Sequence, residues 1–488
     1  MTFDLSTIAI FCIGALLYLT VLPTSLRQWA LLAGSVLAAY WLQPRIVRVP
    51  YVDFILPTVM VMLALVVWWF TRVSDAEGQA AQPVTRENLL AFGLILLIIL
   101  GVAATRYLDA EYRLTSRPPD LLRVVIALAG VALIVGGLSL LVRFVSQRRI
   151  LTGLILFIIG LFVVLKTEAL TVEAARFWRG QTGRDTSLAS VDDLAWLGFS
   201  YLAFRLIHVL RDRQTGRLPA LTLREFVTYA IFFPAYTAGP IDRAERFSKD
   251  YRDLVALAGL DPVRLTQGLT RIGIGIFKKF VIADTLALGL SLNTTNALQA
   301  DSTLGLWLLL YGYALRLFFD FSGYSDIAIG IALLFGIKLP ENFDRPYQRT
   351  SITAFWQSWH ITLSDWARFY VFSPFSRFLL TRQPKPSPAA IVLSVQLATM
   401  IVIGLWHGVS WNFLIWGIWH GVGLFVHKQW SDRTRGWYRQ LNEQPERKRM
   451  WTVFAWFVTF HFIVIGWVWF ALPDVESSLH VLCGLFGG

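Results

Sequence analysis

Two short stretches hold most of the residues that could do chemistry. One reads "ENFDRPYQRTSITAFWQSWHITLSDW" (341–366), a polar, tryptophan-rich run set between apolar segments. The other reads "GLWHGVSWNFLIWGIWHG" (404–421), which places His407 and His420 inside glycine-bearing apolar sequence. An imidazole titrates near neutral pH, so an intramembrane histidine is a candidate general base. A histidine satisfied by a backbone carbonyl, with a structural role only, fits the spacing of His407 as well. A metal or haem site lacks support: there is no HExxH, and Cys12 and Cys483 form neither a CxxC nor a disulfide framework. No Ser or Cys stands out as a nucleophile.

In the first stretch, Pro340 and Pro346 break helix on either side of "ENFDR", and Ser351 or Thr350 is placed to cap a new helix at about 352. On that helix Trp356, His360 and Ser364 recur at i, i+4 and i+8 and would share a face. A break followed by a short polar helix is tolerated at membrane depth only when protein or water surrounds it, so a re-entrant segment is expected. The alternative is an amphipathic helix lying in the interface with its tryptophans as belt residues. In the second stretch, Gly404-x-x-x-Gly408 and Gly417-x-x-x-Gly421 are small-xxx-small packing patterns. They would hold His407 inside a bundle and away from lipid.

Two more polar islands stand out. "FFPAYTAGPIDRAERF" (232–247) reads as a broken helix and turn, followed by Asp242 and Arg243. In "RLFFDFSGYSDIAIG" (316–330), Arg316 and Asp320 are spaced to pair, and Gly323 is a candidate interruption. Lys278 and Lys279 read as residues that snorkel from a helix end.

The elements that must position these residues are membrane helices. Of 488 residues, 56% are hydrophobic and 16% charged, against about 25% charged in soluble domains. Apolar runs of bilayer-spanning length recur, among them 6–23, 52–70, 88–105, 121–142 and 150–165, and about a dozen spans are expected. The first is read as a retained helix rather than a signal peptide. The net charge of +12 lies mostly between spans, which is a positive-inside pattern and not a nucleic-acid surface. The basic segments 376–388 and 431–450 are placed in the cytoplasm, so the turn "WHGVSW" between the two intervening spans faces outward, with His407 near it. Segment 72–87 reads as a polar linker. The organisation expected is N-terminal scaffold helices over 1–170, a catalytic core over 171–430, and a basic loop, last span and tail over 431–488.

Taken together, "AGPIDR" (238–243), "FFDFSGYSDIAIG" (318–330), "ENFDRPY…SITAFWQSWHITLSDW" (341–366), and "GLWHG" (404–408) with "WGIWHG" (416–421) resemble the membrane-bound O-acyltransferase family. They look most like its bacterial branch, which includes alginate O-acetyltransferase and teichoic acid D-alanyltransferase subunits. The match covers about 230–425. The resemblance implies an all-α polytopic membrane fold: a helical core with re-entrant segments and a central channel, with extra N-terminal transmembrane helices. It implies that His407 is catalytic and His360 is its supporting partner on re-entrant structure. Asn342, Trp356, Trp359, Ser364, Trp406, Asp242, Arg243 and Asp320 are the candidate channel and supporting residues.

The expected reaction moves an acyl group, acetyl first and D-alanyl as the alternative, from a cytoplasmic thioester to a hydroxyl across the membrane. The donor would be acetyl-CoA or an acyl-carrier-protein thioester, with no bound cofactor or metal. The acceptor would be a cell-surface glycopolymer or a partner protein, helped by an extracytoplasmic esterase-like partner, in the bacterial cytoplasmic membrane. Here "GPIDR" looks more like the D-alanyl-transferring members and "ENFDRPY…SIT" more like the acetyl-transferring ones. A secondary transporter would also break helices and bury charges, but it predicts an internal repeat that the sequence lacks. A non-catalytic scaffold would tolerate replacement of His407 and His360.

Overall fold

The computed structural model describes residues 3–72, 83–141, 144–257 and 259–488. Most of the linker expected at 72–87 lies outside the described residues. The chain folds as two compact units, one of residues 1–270 with 328–339, the other of 271–327 with 340–488. Among the described residues the only β pairing is an isolated bridge between Phe343 and Trp359.

The first unit begins with α1 (Leu5–Thr20), α2 (Thr24–Trp41), α3 (Val52–Thr71), α4 (Arg86–Ala104), α5 (Leu121–Leu141) and α6 (Gln147–Lys166). It continues through α7 (Glu168–Gln181), α8 (Phe199–Gln214), α9 (Leu223–Ala230) and α10 (Ala244–Asp253). Polar residues start several of these helices. Asp4 accepts from the Thr7 amide at 2.7 Å, and Thr222 with Glu225 forms a reciprocal capping box on α9. Helix α3 is packed within this unit: the Trp68 indole donates to the Leu221 carbonyl at 3.1 Å, and Tyr40 bonds Thr58 at 2.8 Å.

Helices α11 (Pro262–Ile276), α12 (Asp284–Ala287), α13 (Thr294–Leu298) and α14 (Thr303–Leu334) follow, then α15 (Ile352–Trp356), α16 (Ile361–Ala367) and α17 (Ser373–Thr381). The chain closes with α18 (Pro388–His407), α19 (Trp411–Arg433), α20 (Arg435–Asn442), α21 (Pro445–Gly466), α22 (Val468–Ala471) and α23 (Val475–Gly484). Among the described residues two π-helical turns, Phe277–Ala283 and Arg368–Phe372, interrupt the α geometry.

Seven helices among the described residues are long and apolar enough to cross a membrane: α3, α4, α5, α6, α14, α18 and α21 running on into α22. That is fewer than the dozen expected, because several apolar stretches are cut short or diluted. The stretch at 226–240 is helical only to Ala230 and then turns, and α1 has only 16 residues. The segment 431–450, expected as a loop, is mostly helix: the end of α19, α20 and the start of α21. Gly323 does not interrupt α14, which runs unbroken for 32 residues. Its missing side chain instead serves packing, since a Cβ there would lie 2.8 Å from the Gly275 carbonyl oxygen. Burial differs sharply along the chain: 72% of the most apolar window of α14 is buried, against 6% of that of α5.

Candidate active site

The hairpin of α18 and α19 is the frame of the site. Gly417 packs on α18 so closely that a Cβ would lie 2.7 Å from the Met400 carbonyl oxygen, and a Cβ on Gly404 would meet the Phe413 carbonyl at 2.3 Å. The small-xxx-small reading therefore holds, and backbone proximity sets where the intervening turn lies. Ser410 caps α19 in that turn, and His407 is the last residue of α18. The His407 ring is half-buried in an aromatic wall. It meets Trp406 at 4.5 Å between centroids, Phe470 at 4.7 Å, Trp416 at 5.7 Å and Phe413 at 5.8 Å.

The polar stretch 341–366 is built differently from the single helix expected. Ser351 caps α15 as read from the sequence, accepting from the Ala354 amide at 3.2 Å. The helix then stops at Trp356, and His360 takes a left-handed conformation with φ of 41° before α16 begins. Trp356, His360 and Ser364 thus do not share a helical face. Ser364 instead bonds back to the Trp359 carbonyl at 3.2 Å. A left-handed histidine is sterically costly, by about 1–3 kcal/mol, and persists only where its surroundings dictate it.

Those surroundings are a clasp between 342–344 and 358–361. The Asp344 amide donates to the Ser358 carbonyl at 3.0 Å, and the Ile361 amide donates to the Asn342 carbonyl at 2.9 Å. Asn342 is 1% exposed and pins the clasp, with its amide donating to Ser325 at 3.2 Å and its oxygen accepting from Thr362 at 2.7 Å. The segment from Ile352 to Leu363 is largely enclosed by protein, which favours the re-entrant reading over a helix lying in the interface.

His360 is 2% exposed, and neither ring nitrogen has a hydrogen-bond partner. Its ring meets Phe321 at 4.7 Å and Trp406 at 6.0 Å. Trp406 therefore lies against both His360 and His407. Trp359 stacks on Phe355 at 5.5 Å and meets Phe343 and Trp467, walling the same region. Trp356 meets Trp416 at 5.7 Å and His420 at 5.3 Å.

The sequence marks His420 as a histidine in apolar context, without a place in the site. It is fully buried, both nitrogens lack partners, and its ring lies 4.7 Å from that of Trp416, itself in contact with His407. Its signal was present in "WGIWHG". A Cβ on Gly466 would sit 3.2 Å from Nε2, so that glycine leaves its ring room. The structure thus gathers His407, His360, Trp406, Trp356, Trp359 and Asn342, and adds Trp416, His420 and Phe470.

Asp320 is not gathered there. Its neighbours Phe318 and Phe321 on α14 face the aromatic wall, whereas Asp320 takes the ammonium of Lys279. Arg316 does not pair with Asp320 and donates to Ser291 at 3.4 Å. Lys278 and Lys279 do not snorkel either: Lys278 meets Asp326 at 2.6 Å, and Asp326 also accepts from Arg271 at 2.6 Å. The π turn at 277–283 presents both lysines to α14, where carboxylates neutralise them.

Asp242 and Arg243 lie in the first unit, in an ion network of their own. Asp242 is 4% exposed and is held by Arg246. Arg243 reaches Asp212 at 3.2 Å, and Asp212 accepts from His208 at 3.0 Å. Arg205, 1% exposed, donates to the carbonyls of Ala230 and Ala235 at 3.1 and 2.7 Å and secures the turn that follows Ala230. Gly239 closes that turn, because a Cβ there would lie 2.5 Å from the Ala235 Cα.

In comparisons with known proteins, residues 150–468 match the model of MBOAT, the membrane-bound O-acyltransferase family. A peptidoglycan O-acetyltransferase of Helicobacter pylori is 34% identical over 313 residues, 62% of this chain and 56% of that protein. A teichoic acid D-alanyltransferase of Streptococcus thermophilus is 34% identical over 292 residues, 57% of this chain and 68% of that protein. A probable alginate O-acetylase of Pseudomonas syringae is 33% identical over 292 residues, 60% of this chain and 51% of that protein. The matched region thus spans only about half to two thirds of each relative's length.

Proposed function

The chain belongs to the membrane-bound O-acyltransferase family, and from that premise we propose that it transfers an acyl group, acetyl in the first instance, from a thioester to a hydroxyl with His407 as general base. The observation that carries this reading is the pair of His407 and His360, both against Trp406, in a wall of aromatic rings. In the step proposed, His407 takes the proton as the acceptor hydroxyl attacks the thioester carbonyl. The tetrahedral oxyanion then collapses, the thiolate leaves, and it regains the proton as a thiol. His360, fixed by the clasp, is suited to orient the acyl group or donate to the oxyanion. The aromatic wall keeps water from hydrolysing the donor. No covalent enzyme intermediate is invoked.

The donor proposed is acetyl-CoA, entering from the cytoplasmic side, with no resident cofactor. The acceptor is a cell-surface glycopolymer, reached through an extracytoplasmic esterase-like partner, at the bacterial cytoplasmic membrane. A D-alanyl group delivered by a carrier protein is the second reading, supported by the likeness to the teichoic acid D-alanyltransferase. The test supplies purified protein with radiolabelled acetyl-CoA, with and without membrane extract as acceptor, and compares wild type with His407→Ala. Acceptor-dependent consumption lost in the variant supports acetyl transfer. Turnover only with an aminoacyl carrier protein selects the second reading. Inertness to both donors, or an unaffected variant, overturns the mechanism.

A further inference from the structure

A cavity of about 1040 Å³ runs along α19 and α21 and ends against α20. Its walls change character along its length. The α19 side offers Ile418, Val422 and Val426, while the far end offers Thr434, Arg435 and Arg439. From Ile415 to Trp430 the α19 wall extends about 22 Å at 1.5 Å per residue, more than the ~15 Å hydrocarbon depth of one leaflet. The groove is long enough for an acyl chain.

Tryptophans mark where that chain would meet a headgroup. Trp430 stacks on Trp451 at 6.1 Å and Trp437 meets Trp451 edge-on at 4.9 Å, with Trp430 49% exposed and Trp437 41%. Exposed indoles gather at the membrane–water boundary. The cationic end of the groove lies beside them. Residues 428–439 carry four cations, Lys428, Arg433, Arg435 and Arg439, against one carboxylate, Asp432. Asp432 takes Lys428 and also Arg435 at 2.6 Å. The hydrogen bond from Lys428, aided by Arg435, holds the Asp432 carboxyl below the usual range, so it stays ionised and offsets a single charge. The next acids along the chain are Glu443 and Glu446.

We propose that this groove is a binding site for one anionic phospholipid, its chains along α19 and α21 and its phosphate on Arg435 and Arg439. Basic pockets beside membrane helices select anionic headgroups in this way, and a zwitterionic lipid would leave the surplus cations unanswered. The inference does not depend on the acyl-transfer reading.

The test is native mass spectrometry of the full chain released from nanodiscs of equal phosphatidylglycerol and phosphatidylcholine. One retained phosphatidylglycerol per chain is expected, preferred about tenfold or more. Arg435→Gln with Arg439→Gln should abolish that preference, and both are surface positions whose loss spares the core. Val422→Trp, which fills the apolar part, should lower retention of both lipids. Equal retention of the two lipids by wild type, an undiminished preference in the double variant, or displacement of the lipid by acetyl-CoA would each overturn the proposal. The last would assign the groove to the donor.

Discussion

His208 and His420 are both buried to within 2% of full enclosure, yet their surroundings are opposite in kind. His208 bonds Asp212 at 3.0 Å and lies near the Tyr229 hydroxyl, in a network where Arg243, Arg246 and Asp242 balance one another's charge. His420, with His360 in the same unit, sits among aromatic rings with neither nitrogen bonded. A buried polar group left unsatisfied costs about 1–3 kcal/mol. The first network repays its burial with ion pairs inside its own unit. The second leaves the ring nitrogens of His360 and His420 without a protein partner.

The sharpest way to break this contrast is His407→Ala. Turnover should fall by about 10²–10⁴, a larger effect than the loss of stability, because the ring is only half-buried. A variant that keeps its rate would remove the chemistry from this region. Gly417→Val is next. Its side chain would strike the Met400 carbonyl, spread the hairpin, and cost at least about 1–3 kcal/mol along with most of the activity. If thermal unfolding and rate are both unmoved, the close backbone approach does not set the site.

In the first unit, Arg246→Ala should lower stability by about 2 kcal/mol, less than a fully enclosed pair would, because the arginine side chain is 36% exposed. Activity per folded molecule should persist. The finest discrimination is a matched pair. His208→Phe should destabilise by about 2 kcal/mol, because the buried Asp212 loses a partner. His420→Phe should not destabilise and should raise stability by up to about 1–3 kcal/mol, since an aromatic ring replaces unbonded nitrogens in aromatic packing, while turnover drops. Equal stability losses in the two would erase the distinction drawn between the regions.

Several features were legible from local chemistry alone. Apolar length and composition mark the membrane helices, proline and serine punctuation marks the start of α15, and glycine spacing marks the α18–α19 hairpin. These depend on near neighbours in the chain, so a linear reading can reach them. Hydropathy does not show where a helix stops, as at Ala230, so the apolar stretches outnumber the long apolar helices among the described residues.

What the sequence determined by itself was therefore the class of the molecule and the few residues worth watching, His407 and His360 first among them. Tertiary structure alone decided their geometry. The i, i+4 rule put Trp356, His360 and Ser364 on one face, but the clasp from Asn342 to Ile361, closed across about twenty residues, turned His360 into the left-handed region instead. The same spacing rule paired Arg316 with Asp320, yet the π turn brought Lys279 to that carboxylate. Periodicity describes a helix in isolation, whereas charges and polar groups at depth take whichever partner packing delivers. For His420 packing delivered none, and that absence is visible only once the chain is folded.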